Sequence, residues 1–432
     1  MSSPVSSGQP ARRLFAALLV AVLPFFSGCW LSGHQSTFDT KGPVAESQLH
    51  VFYVTLWVTL PIFIVVAGVF LYALWKFRAK TPEEETAYTP EQGHGNPLVE
   101  IGLIAGSVLA LVIIAVPTLK AIWYTYDVPA EQRDDALEIV ATGYQWWFKF
   151  DYPTEMAPQS FGGEAPVVTA NELVIPVNRP VHIELRTVDV IHSFWVPKLA
   201  GKVDMMPNRG NHLWLEADEA GYYWGQCAEY CGESHAVMRF RVIALEEDDY
   251  NQWLSDQKQM ARTVEDPGSG ATAEFASYQP FSVNQKGWTE EFDADPLGNW
   301  MQKQEIDAGE DPALIARGRQ YFQENQCAGC HTVRGHEGGG VVAPDLTHIG
   351  SRTTIAGGLL ENSKENLYRW ITEPQNVKPG NYMYHTRRVQ PAGMVVMNGY
   401  TRYDTEAEEV VSNIEVTPEE AHALVAYLHS LK

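Results

Sequence analysis

Two long apolar segments constrain the fold of this 432-residue chain most strongly. The run from Val51 to Trp75 contains no charged residue, and Ile101 to Leu119 forms a second uncharged run. A helix needs about 20 apolar residues to cross the hydrocarbon core of a bilayer, and both runs come close to or exceed that length. The sequence therefore predicts a transmembrane hairpin with helices at about 50–76 and 98–123.

The charges beside the hairpin predict its orientation. Lys76, Arg78 and Lys80 begin the connection between the two apolar runs. Loops rich in Lys and Arg remain on the cytoplasmic side of the membrane. Everything after Tyr126 is therefore expected on the outer side.

The N-terminus has the pattern of an export signal. Arg12 and Arg13 precede an apolar run, which ends in Ser-Gly and then Cys29. A charged start, a short apolar stretch and small residues before a cleavage point are typical of a signal peptide. Residues 1–28 are interpreted as a lipoprotein-like signal with Cys29 as the lipidated first residue, and an ordinary signal or anchor is the alternative. Residues 29–126 then hold the N-terminal segment and the hairpin.

The net charge of −22 limits the kinds of partner that this chain can bind. Nucleic-acid binding needs a basic face for the phosphates, so a general role of this kind is excluded. An acidic surface suits a basic protein partner, such as a soluble cytochrome, through electrostatic steering. Alternatively, the acidic surface serves only to keep the protein soluble.

The part of the chain at 127–256 reads as short strands separated by turns. Apolar or alternating stretches are bounded there by Gly, Pro and Asn, which is typical of an all-β sandwich or barrel. The predicted strands are 137–141, 173–177, 181–185, 212–216 and 239–244.

One loop of this β domain carries a set of metal-ligating residue types. Cys227, Cys231, His235 and Met238 lie close together, and His192 lies upstream. Two thiolates, two imidazoles and a thioether form a soft set that suits copper, and the thiolates can bridge two ions. A zinc site is the alternative, but it would favour a C-x-x-C pair and has little use for the thioether.

A second metal signature lies at 327–331, where Cys327-Ala-Gly-Cys330-His331 matches the attachment motif of a c-type haem. The two thiols are expected to form thioethers and His331 to be the proximal iron ligand. Asp311 precedes one amphipathic helix and Thr417 begins another, both with capping patterns. Residues 309–432 are therefore predicted to form an all-α cytochrome domain. Residues 257–308 read as a linker with short helical pieces, in which Trp288 and Trp300 suggest packing on a neighbour.

These motifs together resemble subunit II of the haem–copper cytochrome c oxidases, and specifically the caa type with a fused cytochrome domain. The resemblance implies a multidomain membrane protein built of a two-helix hairpin, a cupredoxin-like barrel with a dinuclear CuA centre, and a class I cytochrome c domain. It also implies residue roles. Glu229 gives a carbonyl to copper and helps to bind magnesium at the junction with subunit I, Trp146 is an exposed indole where electrons enter, and Glu100 lies at the mouth of a proton channel. An ordinary core aromatic at 146 and a merely interfacial carboxylate at 100 are the alternatives.

The sixth iron ligand also comes from the resemblance. The stretch that ends in K-P-G-N-Y-M resembles the segment before the axial methionine of fused cytochrome domains, and this match selects Met383. Tyr384 stands where Pro is usual, and Met394 and Met397 in the insertion that follows are rivals. His336, His348 and His385 are expected at the surface.

The function implied by the resemblance is electron transfer within cytochrome c oxidase. Electrons would pass from an external cytochrome c-type donor, through haem c and CuA, to subunit I, where oxygen is reduced to water. The implied location is the bacterial inner membrane with both soluble domains on the periplasmic side, in contact with other oxidase subunits and the lipid bilayer. A CuA-bearing subunit of a nitric oxide reductase and a free-standing membrane electron carrier are the alternatives, whereas a nitrous oxide reductase would need a large His-rich propeller.

Overall fold

The computed structural model describes residues 31–79, 81, 93, 95–264, 289–307, 309–336, 338–383, 386–388, 410–412 and 416–432. Two long helices, α1 (Pro43–Lys76) and α2 (Pro97–Tyr126), pack against each other and are long and apolar enough to span a membrane. Asn96 caps α2 by accepting a hydrogen bond from the backbone N–H of Leu98, and the Pro at the first helical position suits that cap. Helix α1 begins earlier than the apolar run, so its first turn lies outside that run and is partly buried.

The middle of the chain forms two five-stranded sheets packed face to face. The strands are β1 (Leu137–Tyr144), β2 (Trp147–Pro158), β3 (Glu164–Ala170), β4 (Glu172–Pro176), β5 (Val181–Thr187), β6 (His192–Trp195), β7 (Val203–Met205), β8 (Asn211–Leu215), β9 (Gly221–Cys227) and β10 (Arg239–Leu245). The strand orders in the two sheets are β3-β2-β1-β5-β8 and β4-β10-β9-β6-β7. Each of the five predicted strands coincides with an observed strand, within a few residues at its ends.

Aromatic side chains fill the space between the two sheets. Phe148 and Phe150 from one sheet meet Phe194 and Phe240 from the other, and the Phe194 and Phe240 ring centroids lie 4.6 Å apart. All four side chains are fully buried. Alternation along each strand directs these residues inward, because successive side chains in a strand point to opposite faces.

Helix α3 (Glu247–Gln257) follows the last strand of the β domain, and the described part of the linker contains two short helices, α4 (Glu290–Ala294) and α5 (Pro296–Lys303). Trp300 of α5 is buried, and its indole N–H donates to Glu172 at 3.1 Å. Part of the linker is therefore packed on the β domain, as the tryptophan suggested. Trp288 lies outside the described residues.

The C-terminal region is mainly helical, and α6 (Pro312–Glu324) packs against α9 (Pro418–Ser430). Gly318 permits this approach, because a Cβ there would lie 2.6 Å from Cβ of Tyr427. Both predicted caps are confirmed: Asp311 accepts from two backbone N–H groups, and Thr417 forms a capping box with Glu420. The remaining elements are α7 (Lys364–Thr372), α8 (Pro374–Val377) and two strand pairs, β11 (Thr354–Ile355) with β12 (Leu360–Glu361) and β13 (Thr386–Arg388) with β14 (Val410–Ser412).

The expectation that His336 and His348 lie at the surface is wrong. His336 is buried and its Nδ1 lies 2.7 Å from the Tyr427 hydroxyl. His348 is also buried, and its Nε2 lies 3.2 Å from the backbone carbonyl of Gln259 near the start of the linker. His385, Met394, Met397, Lys80 and the signal segment with Cys29 lie outside the described residues.

Candidate metal centres

The five predicted copper ligands meet at one end of the second sheet. The Sγ atoms of Cys227 and Cys231 lie 3.7 Å apart. His192 Nδ1 lies 3.9 Å from the first sulfur, while His235 Nδ1 and Met238 Sδ lie 3.6 and 3.8 Å from the second. Ligand atoms on a shared tetrahedral metal are separated by about 3.3–3.8 Å. The four distances of 3.6–3.9 Å are close to this range, so the donor set suits a metal ion.

Backbone pairing explains why residues distant in sequence meet here. Strands β6 and β9 are antiparallel neighbours, with Phe194 opposite Cys227 at the end of the pair. The loop after β9 then turns back through a short 3-10 turn, His235–Val237, and the backbone N–H of Cys227 donates to the carbonyl of Met238. The loop is therefore closed by its own main chain.

The carbonyl oxygen of Glu229 also faces this centre, at 3.2 Å from Cys227 Sγ. Its side chain is half-buried. The backbone position is thus compatible with a carbonyl ligand, while the carboxylate is left for another contact.

Asp189 holds His192 in place, and sequence reasoning missed it. Its Oδ1 lies 2.8 Å from His192 Nε2, and its Oδ2 accepts from the backbone N–H of Gln145 at 2.7 Å. A carboxylate on the outer imidazole nitrogen fixes the tautomer, so that Nδ1 presents its lone pair to a metal. The only signal in the sequence is an acidic residue three positions before the histidine.

The two thiols differ in acidity because they are neighbours. A hydrogen bond from Cys231 lowers the pKa of the Cys227 thiol. The resulting thiolate raises the pKa of Cys231. A bound cation favours both thiolates, so metal binding is expected to displace the proton that remains.

The haem motif lies on a short 3-10 turn, Cys327–Gly329, at the end of α6. The backbone N–H of His331 donates to the carbonyl of Cys327 at 3.0 Å, so the main chain of the motif is closed into a turn. His331 Nδ1 lies 2.7 Å from the carbonyl of Pro344, leaving Nε2 as the free donor atom. Burial lowers the pKa of His331, and the neutral imidazole is the form that binds iron.

Met383 is half-buried and packs against the same apolar cluster as Cys327. Its backbone N–H donates to the side chain of Asn381, which in turn donates to the carbonyls of Pro374 and Lys378. These bonds shape the turn before the methionine. Both cysteines, His331 and Met383 therefore lie in one domain, and their roles as haem ligands stay predictions.

Trp146 lies between the two centres, and the expectation that its indole is exposed is wrong. Its exposed fraction is 5%, and the Tyr382 ring lies parallel to it with an interplanar angle of 7° and a centroid separation of 6.4 Å. On its other side, the indole N–H donates to the carbonyl of Cys231 at 3.0 Å. Tyr382, the neighbour of Met383 in sequence, therefore contacts Trp146, which is hydrogen-bonded to Cys231 of the copper loop.

A buried lysine secures this junction. Lys378 Nζ donates to the carbonyls of Trp146 and Ala356, and burial lowers the pKa of Lys378 to about 7. Ser234 of the copper loop donates to the carbonyl of Pro379 at 2.6 Å. Gly380 follows with φ of +76°, where a Cβ would lie 2.9 Å from the Trp146 ring. The K-P-G sequence thus serves the docking of the domains as well as the turn.

Comparisons with known proteins agree with this architecture. Residues 137–245 match the model of the cytochrome c oxidase subunit II periplasmic domain, and residues 315–432 match the cytochrome c model. Cytochrome c oxidase subunit 2 of Alkalihalophilus pseudofirmus is 35% identical over 94% of each chain. The chain belongs to the cytochrome c oxidase subunit II family. The corresponding protein of Bacillus subtilis is 29% identical over 85% of this chain and 91% of its own.

Among solved structures, the periplasmic domain of subunit II of cytochrome oxidase from Bradyrhizobium japonicum is 32% identical, with a TM-score of 0.24. The match covers 28% of this chain and 93% of the Bradyrhizobium japonicum chain. Family membership assigns the chain to the enzyme class of cytochrome c oxidase, with an electron-transfer role and a membrane anchor. It also implies a CuA copper centre and a haem, to which the two donor sets correspond.

Glu100 lies in the first turn of α2 and is exposed. A role of Glu100 at the mouth of a proton channel would depend on contacts with subunit I, so this role stays a prediction. The five predicted copper ligands do come together, and Trp146 contacts both the copper loop and Tyr382, the neighbour of Met383 in sequence.

Proposed function

We propose that this chain accepts electrons from an external cytochrome c-type donor and delivers them to subunit I of its oxidase, where oxygen is reduced to water. When bound, the haem and the copper pair supply the one-electron redox centres. The ligands would be Cys327, Cys330, His331 and Met383 for the haem, and His192, Cys227, Glu229, Cys231, His235 and Met238 for the copper.

The position of Trp146 is the observation that carries this proposal. Tyr382 covers one face of the indole, and the indole N–H is bonded to Cys231. The side chain therefore couples the cytochrome domain to the copper loop by direct contact. Electrons from outside would reach Trp146 through the fused domain rather than from a separate protein.

Substituting the tryptophan tests this coupling. In the purified complex, Trp146→Phe removes the N–H that donates to Cys231 and should slow electron transfer from the haem to copper after flash reduction. Trp147→Phe is the matched control, because that neighbouring indole is half-exposed and stacks on Tyr144. Equal rates in both variants would contradict a coupling role for Trp146.

The same preparation separates the candidate functions. Oxygen consumption with reduced cytochrome c, together with an EPR signal in which one electron is shared by two copper nuclei, supports the oxidase. Nitric oxide reduction without oxygen consumption would favour the reductase, and purification without any partner subunit would favour a free carrier.

We also propose that the Glu229 carboxylate helps to hold a magnesium ion at the junction with subunit I. Its carbonyl faces Cys227, so the contact with the copper loop does not depend on the carboxylate. Glu229→Gln should keep the copper spectrum and weaken binding of the divalent ion. Loss of copper in this variant would show that the side chain itself is a copper ligand.

We also propose that residues 1–28 are a cleaved signal. The mature chain would lie in the bacterial inner membrane, with both soluble domains on the periplasmic side. The loop charges at Lys76 and Arg78 support the orientation, because such loops stay in the cytoplasm.

A further inference from the structure

A second cluster of metal-ligating groups lies where the end of α2 meets strands β5 and β8 of the first sheet, whereas the copper loop lies on the second sheet. Asp127, His182 and His212 each place one ligand atom within 4.8 Å of the other two. We propose that this cluster binds a divalent transition-metal ion of the zinc class. None of the three residues takes part in the copper or haem sets.

Sheet register brings the two histidines together. Strand β5 is antiparallel to β8, with His182 opposite Trp214 and His212 opposite Glu184. The two histidines are thus diagonal neighbours on one face of the sheet, a spacing that long side chains can bridge. Their ring centroids lie 5.5 Å apart.

The end of α2 brings the carboxylate to the same face. The Trp214 indole N–H donates to the carbonyl of Tyr124 at 3.0 Å, and the Tyr126 ring meets the His212 ring edge-on at 5.0 Å. Asp127 is the residue that caps this helix, and its Oδ1 lies 3.9 Å from His182 Nε2. The site therefore joins the membrane hairpin to the β domain.

The two imidazoles are prepared for a cation in different ways. Glu138, the register partner of His182 in β1, lies with its Oε2 2.7 Å from His182 Nδ1. This bond favours a proton on Nδ1 and leaves Nε2 as the donor atom, as in carboxylate–histidine–metal arrangements. His212 Nε2 is buried and has no hydrogen-bond partner among the described residues. Buried polar atoms are usually paired, and a metal ion would pair this one.

The local charge also favours a cation. Arg133 donates to Asp127 at 2.8 Å and lies 3.6 Å from Glu138, so one guanidinium faces two carboxylates. The last turn of α2 contains no basic residue, and its C-terminal carbonyls carry the negative end of the helix dipole. A divalent ion would offset both sources of negative potential.

The donor chemistry selects the class of ion. Two neutral imidazoles and one carboxylate are a common set for zinc, and they also accept copper or nickel. Magnesium and calcium prefer oxygen ligands alone. Three protein ligands leave one tetrahedral position for water or a further ligand.

The test uses the full chain in detergent, loaded with haem and copper, and titrated with Zn²⁺ against a chromophoric chelator. We expect one zinc equivalent beyond the copper, with the copper spectrum unchanged. His212→Gln and Asp127→Asn should each abolish that equivalent, while Glu138→Gln keeps the ligands and should weaken affinity about 10–100-fold. His422→Gln, on α9 of the cytochrome domain, is the matched control and should bind zinc normally.

Cobalt provides a readout that does not depend on a variant folding. Co²⁺ bound to the unsubstituted chain should show tetrahedral ligand-field bands without sulfur-to-cobalt charge transfer. A charge-transfer band would place the ion at the thiols and overturn the proposal. Zinc affinity in His212→Gln equal to that of the unsubstituted chain, with both cofactor spectra intact, would overturn it as well.

Discussion

At the scale of single residues, the chemistry of this chain depends on groups that orient its ligands. Asp189 fixes the tautomer of His192, and the carbonyl of Pro344 does the same for His331. Outer partners of this kind commonly change metal affinity about 10–100-fold when they are removed. The ligand motifs alone therefore describe only part of each centre.

The axial ligand of the haem gives a residue-scale prediction. Met383→Ala should lower the haem potential and remove the weak charge-transfer band of a methionine-ligated ferric haem, because the thioether is lost. The haem itself should stay covalently attached through both cysteines. Optical spectra and a redox titration measure these changes. Met394→Ala and Met397→Ala should keep the band, and loss of the band in either one would move the ligand into the insertion.

His429 predicts how stability depends on pH. Burial, together with the nearby charges of Lys303, Lys364 and Lys432, lowers the pKa of His429 to about 3, and Asp307 only partly opposes this. The unfolded chain takes up this proton below about pH 6.5, whereas the folded chain does so only near pH 3. Stability should therefore fall as pH drops from about 6.5 towards 3, by up to about 1.4 kcal/mol per pH unit.

Thermal unfolding of the haem domain across this pH range, followed by haem absorbance in the full chain, provides the measurement. His429→Gln should reduce the slope below pH 6.5, and the part that remains belongs to other buried groups such as His348, whose pKa burial lowers to about 4. His422→Gln, on the same helix and half-buried, should leave the slope from His429 in place. An unchanged slope in His429→Gln would assign it to other groups.

At the scale of elements, Glu172 at the start of β4 ties three parts of the chain together. Its carboxylate accepts from both backbone and side chain of Thr353, from the backbone of Thr354 and from the indole of Trp300. The strand, the linker helix and the cytochrome domain therefore share one buried anion. Hydrogen bonds to a charged group are worth more than neutral ones, at about 1.5–3 kcal/mol each.

Glu172→Ala should consequently loosen the docked cytochrome domain by about 3 kcal/mol, because several buried donors lose their acceptor. We expect faster hydrogen exchange at Thr353 and Thr354 and slower electron transfer from haem to copper, with an unchanged copper spectrum. Glu155→Ala is the control, since its ion pair with Lys258 lies nearer the surface and should contribute little. Normal exchange rates in Glu172→Ala would contradict the anchoring role.

At the scale of the whole molecule, the membrane hairpin determines on which side both centres work. The cytochrome domain is docked on the β domain, so the two share one side of the membrane. Haem attachment to C-x-x-C-H and copper binding to free thiols are compatible with the outer side, where unprotected thiols form disulfides.

Reporter fusions test this orientation directly. A reporter fused after Arg78 should be active only in a cytoplasmic assay, and one fused after Ala136 only in a periplasmic assay. The reverse pattern would overturn the topology. It would also remove the argument that both cofactors are inserted outside the cytoplasm.

Local sequence by itself determined the hairpin, the spacing of Cys227, Cys231, His235 and Met238, and the haem motif. In each case the chemistry lies within one run or one loop, where spacing alone decides which atoms meet. Tertiary structure decided the rest, because it depends on strand register and domain docking. Only these bring His192 to Cys227, cover Trp146 with Tyr382, and align His182 and His212 beneath the end of α2. Such pairs are separated by up to hundreds of residues, and no local pattern records which of them will touch.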